Sequence, residues 1–279
     1  MLGKLIKHEF RATGRLMAPL FGALLLLAVF VRVSDLILSA ADAPVFFEAL
    51  NTLLIIAYVL ALFGVMVFST VLMIKRFHQN FLTDEGYLMF TLPTSVHSLL
   101  WSKLITAALF FIFTFLAEAL SVAIVVWRGG LAREMFTGFA DFFRRLDSYY
   151  MANGLAFALE TLALLFVSLL VTCLLFYAPM SIGYSFANHK GLLSVVFYFV
   201  IQAILQIFGV AVLSGAVNDT AFHRLLTDAM DNLGRIDTPV TAMQAAHGTM
   251  LLALFTELFL GAILYFLTYF MLRKHRNLQ

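Results

Sequence analysis

Apolar residues in this chain come in long unbroken runs, not in the one-sided or alternating patterns of a water-soluble fold. Crossing a hydrocarbon core of about 30 Å takes roughly 20 apolar residues in a helix. Six runs meet that length: 16–38, 49–74, 104–127, 154–183, 192–217 and 248–272. None alternates with period two as a membrane β-strand does, and a helix is the element that satisfies its own backbone in lipid. The pattern predicts an all-α, polytopic membrane protein with six transmembrane helices.

The segments between the runs carry patterns of their own. Residues 1–15 set Leu2, Leu5, Ile6 and Phe10 on one helical face and Lys4, Lys7, His8 and Arg11 on the other. This predicts a basic amphipathic helix in the membrane interface. Thr13-Gly14 and Pro19 are expected to turn the chain into the first span. Residues 16–279 then form the six-helix domain. In the stretch 128–153, Met135, Phe136, Phe139, Phe142, Phe143 and Leu146 recur at three- and four-residue steps, which predicts a short helix there. In 218–247, Asp219 is placed to cap a helix with apolar positions Phe222, Leu225, Leu226, Ala229 and Leu233, stopped by Gly234 and followed by Pro239.

Composition agrees with the pattern. The chain has 279 residues, of which 62% are hydrophobic and 12% charged, against about a quarter charged in soluble domains. Charge gives orientation, because Lys and Arg gather on the cytoplasmic side of a membrane. With the N-terminus inside, the inner segments hold Lys4, Lys7, Arg11, Arg15, Lys75, Arg76, Lys103, Lys190, Arg273, Lys274 and Arg276 against only Glu9, Asp84 and Glu85. The outer segments are net acidic. Both termini are therefore expected to be cytoplasmic, with 75–103 an inner loop and 128–153 and 218–247 extracytoplasmic. Ala41-Asp42-Ala43 loosely fits a signal-peptidase site, but Glu9, Arg32 and Asp35 suit a retained first helix better. The lone Cys173 cannot form an internal disulfide and says nothing of redox compartment.

The catalytic inventory is poor. No phosphate-binding G-x-x-x-x-G-K-[ST] loop occurs, so the chain is not expected to bind ATP. The seven histidines are scattered and none has zinc spacing with a partner. Gly183-Tyr184-Ser185-Phe186 lacks the second glycine of a serine-hydrolase turn, and no histidine falls inside a predicted span. Neither cofactor, metal nor nucleic acid is expected, and the chain is not read as an enzyme. Three carboxylates do lie within spans: Glu118, Glu160 and Glu257. Ionised groups there are costly and normally face a bundle interior or water. Glu118 and Glu257 fall at similar depths and Glu160 nearer the surface, so a shared polar layer is one reading; separate hydrogen bonding at helix interfaces is the other. The 30 phenylalanines are read mainly as packing and lipid-facing residues, with an apolar path for cargo as the alternative.

The inner loop is the most distinctive stretch. Phe77, Phe81 and Leu82 form an apolar stripe behind Lys75-Arg76, and Asp84-Glu85-Gly86 breaks it. Leu88-Met89-Phe90 returns to an apolar surface, Leu92-Pro93 turns, and a second amphipathic run from Val96 to Lys103 leads into the third span. Two short amphipathic pieces around an acidic-Gly break suit a partner's groove. Asp84-Glu85-Gly86, Thr91-Leu92-Pro93-Thr94-Ser95 and Trp101-Ser102-Lys103-Leu104, in this order between the second and third spans, resemble the permease subunits of type-two ABC exporters. The six-span layout with an N-terminal interfacial helix is similar to that family as well, although 128–153 is longer than the family's corresponding loop.

The resemblance implies a transport subunit of an ATP-driven exporter. A cytosolic ABC ATPase would be a separate chain receiving residues 78–95 in a groove, and a second permease protomer would complete the pathway. On that reading Asp84, Glu85, Gly86, Tyr87, Leu88 and Pro93 make the coupling contact. Gly86 permits the turn, Glu85 meets a cation, and Tyr87 and Leu88 fill the groove. Two rivals stand beside it: a secondary transporter working through the intramembrane glutamates, and a membrane scaffold that transports nothing.

Overall fold

The computed structural model describes residues 2–40, 45–83, 86, 94–127, 133–134, 137–138, 140–141, 144, 154–186, 188–213 and 239–275. It is all-helical among these residues. The six long helices are α1 (Leu2–Ala40), α2 (Val45–Leu82), α3 (Val96–Val126), α4 (Gly154–Gly183), α5 (Lys190–Leu213) and α6 (Pro239–His275). All six are long and apolar enough to cross a membrane, which marks a multi-pass membrane protein. The chain divides into two compact units, residues 1–131 and 132–279.

In the first unit, α1 packs along α3 and, less extensively, along α2. At 39 residues, α1 is about 58 Å long at 1.5 Å per residue, nearly twice the thickness of a hydrocarbon core. It runs unbroken through Thr13, Gly14 and Pro19, where the sequence predicts a turn. Proline forfeits one backbone hydrogen bond, and long apolar helices tolerate that loss. The amphipathic residues 2–15 are thus the first turns of α1 and not a separate element. Likewise α2 continues to Leu82, eight residues past its apolar run, and α3 starts at Val96, eight residues before its own. Ser95 caps α3, its hydroxyl accepting from the Ser98 backbone N–H at 3.2 Å.

These extensions make a helical base at one end of the unit. Its core is dry: Phe77, Phe81, Leu99, Leu100 and Leu104 are each no more than 1% exposed. Farther along, Leu24, Ala28 and Val31 of α1 meet Tyr58 and Val65 of α2. Two buried interhelical hydrogen bonds tie α2 to α3, Tyr58 to Ser121 at 2.9 Å and Thr114 to Ser69 at 3.1 Å. Outward, Phe63 is 71% and Leu116 59% exposed, as expected of side chains that meet lipid.

In the second unit, α4 packs on both α5 and α6. Phe176 stacks on Tyr198 of α5, ring centroids 5.3 Å apart. The α4–α5 turn needs Gly183, because a Cβ there would collide with the backbone nitrogen of Ser194. His189 takes a positive φ of 54° in the same turn, and its carbonyl accepts from Leu193 N–H at 3.0 Å. The Gly183-Tyr184-Ser185 stretch therefore has a packing role. Proline at the first position of α6 suits a helix start. Residues 239–247, expected as part of the outer loop, belong to α6. The predicted helix from Asp219 to Gly234 lies outside the described residues, as do the apolar positions named in 128–153. The described residues of that stretch, from Arg133 to Arg144, are helical.

Candidate coupling site

The base of the first unit gathers three polar side chains from three helices. Glu9 of α1 forms an ion pair with Lys103 of α3, whose side chain is 2% exposed against 12% for Glu9. Asn80 of α2 donates from Nδ2 to Glu9 Oε1 at 3.1 Å. A buried cation needs a compensating charge; Glu9 supplies it, and the carboxylate is held in turn by Asn80. On α2, the buried Phe77 and Phe81 lie with ring centroids 5.2 Å apart. Phe10, one residue after Glu9, packs on Phe110 at 5.0 Å and Phe113 at 5.9 Å.

This cluster holds both ends of the inner loop. Residue 80 is three positions before the helix gives way at Thr83, and residue 103 is in the second turn of α3. Gly86 N–H donates to Thr83 C=O at 2.8 Å, closing a turn. The turn brings Gly86 against the Phe81 backbone so closely that a Cβ would meet the Phe81 carbonyl oxygen at 2.8 Å and its carbon at 2.9 Å. Gly86 is required there by close approach, the one loop residue predicted to couple that the described structure places. Asp84, Glu85, Tyr87, Leu88 and Pro93 lie outside the described residues.

The intramembrane glutamates divide between the units. Glu118 sits on α3, in the first; Glu160 on α4 and Glu257 on α6 are in the second. Glu160 Oε2 and His247 Nδ1 are 2.6 Å apart, and Phe157 meets the imidazole edge-on at 5.9 Å. Glu257 is ten residues beyond His247, about 15 Å along the helix. Glu160 and Glu257 thus do not form one layer. Glu118 Oε1 and Glu257 Oε2 are buried and have no hydrogen-bond partner among the described residues. No group of three metal-ligating side chains occurs among the described residues.

Sequence reading missed Glu9, Asn80, Lys103 and His247 as site residues. His247 was assigned to the outer loop because hydropathy starts the sixth run at 248; it lies in α6. For the base, the available signal was a lone acid on a basic helix and a lone lysine directly ahead of the apolar run that starts at 104. Comparison with protein-family models, with curated proteins and with solved structures yields no match.

Proposed function

We propose that this chain is the membrane-spanning subunit of an ATP-driven exporter of the type-two ABC kind. It works with a separate cytosolic ATPase and a second permease protomer, both termini lie on the cytoplasmic side, and nucleotide hydrolysis belongs to the partner chain. One observation carries the reading: both ends of the 83–95 loop are tied by Glu9, Asn80 and Lys103 into a dry, three-helix base. Packed interiors transmit displacement instead of absorbing it. A push on the loop therefore moves α1, α2 and α3 together.

The test places a photo-reactive side chain at Tyr87 or Leu88 in membranes actively turning over ATP. Capture of a nucleotide-hydrolysing protein is the expected result; capture of lipid and unrelated proteins alone rejects the proposal. Gly86→Val, which must push the Phe81 backbone aside, and Glu85→Lys are expected to separate hydrolysis from transport.

The unpartnered oxygens of Glu118 and Glu257 favour a second reading, a secondary transporter driven by an ion gradient. It requires Glu118→Gln and Glu257→Gln to abolish transport at unchanged membrane abundance, with no ATPase co-purifying.

A further inference from the structure

Residues of α1 and α3 line an apolar groove of about 400 Å³ on the first unit. Its lining combines small residues, Gly14 and Ala18 on α1 and Ala117 on α3, with the rings of Phe10, Phe21 and Phe113. The groove is open outward, with Phe10 and Phe113 each 38% exposed. From Phe10 to Leu25 it follows α1 for about 22 Å, enough to run from the headgroup zone through the ~15 Å depth of one leaflet's hydrocarbon.

Charge marks one end. The α1 stripe 10, 14, 18, 21, 25 extends one turn back to Lys7, and Arg11 flanks the same face. Both cations are exposed. The apolar run of α1 begins at 16, so Lys7 and Arg11 stand at headgroup level while Ala18 to Leu25 stand at acyl level. Glu9, the nearest acid on α1, is paired with Lys103 and leaves this end positive.

We propose that the groove holds an acyl chain of an anionic phospholipid from the leaflet on the N-terminal side, its phosphate between Lys7 and Arg11. An apolar, aromatic-lined groove suits an acyl chain, and basic residues at the interface attract anionic headgroups. The site is independent of whether the loop meets an ATPase.

The experiment uses the full chain in nanodiscs with a trace of phosphatidylglycerol carrying a diazirine in one acyl chain. Labelled peptides are expected from 10–25 and 110–120, competed by unlabelled phosphatidylglycerol and not by phosphatidylcholine. Two surface cations near an anionic headgroup are together worth about 30-fold in binding, so Lys7→Gln with Arg11→Gln should remove most of that preference while leaving the fold intact. Ala18→Phe, which fills the slot, should lose the label. Equal competition by both lipids means a non-selective lipid belt and overturns the proposal. Failure of any probe to label the groove, with disulfides forming instead from Ala18→Cys to a second copy or to α4–α6, means that protein covers it and overturns the proposal equally.

Discussion

The two units each join helices through a carboxylate and a basic side chain, and the pairs differ in kind. Glu9 and Lys103 are nearly sealed from outside, and Glu9 also accepts a hydrogen bond from Asn80. Glu160 and His247 are 25% and 27% exposed and are flanked by one phenylalanine ring. Burial raises both the attraction within a pair and the penalty for losing one member. The first pair is therefore a fixed structural tie at the loop's ends, whereas the second is a contact whose strength depends on its surroundings.

The largest expected effect comes from breaking the sealed pair. Lys103→Met leaves Glu9 without its cation in a dry base and should lower stability by about 3–5 kcal/mol, read by thermal unfolding in mild detergent. Adding Glu9→Gln should recover most of that loss, since the amide still accepts from Asn80 and no lone charge remains. A single-variant loss under about 1 kcal/mol would show that the base is wetter than its burial implies.

The half-exposed pair should respond more weakly. Glu160→Gln is expected to cost about 1 kcal/mol or less by the same measurement, as for other solvent-accessible pairs. A smaller effect again separates charged from neutral contacts. Tyr58→Phe and Thr114→Val each remove one interhelical hydrogen bond and should cost about 0.6 kcal/mol. Salt sharpens the contrast: raising ionic strength from 0.1 to 1 M shortens the screening length from about 10 to about 3 Å. The stability difference between the chain and Glu160→Gln should shrink with added salt, while that for Lys103→Met stays constant. Equal salt dependence in the two would remove the distinction drawn here.

Much of the fold was legible because the bilayer imposes a length. The fourth run, 154–183, coincides with α4, since both of its ends are set by glycine and the hydropathy step is sharp. The ends of α1, α2 and α3 were not legible, because their extensions are amphipathic, and amphipathic sequence suits an interfacial helix as well as a packed base. Phe77, Phe81 and Leu99 have the same local pattern in either setting; the presence of a second and third helix beside them decides. The glutamates show the same limit. Depth along a span could be counted from sequence, and it placed Glu160 nearest the surface, but only the pairing of α4 with α6 supplied His247 as its partner.

Sequence alone determined that this chain is helical and lives in lipid, because apolar run length and the demand for backbone hydrogen bonds leave few other solutions. Tertiary structure alone decided where charge can be buried. Glu9 and Lys103 are 94 positions apart in the chain, and the attraction that makes either tolerable in a dry interior exists only once α1 and α3 lie side by side.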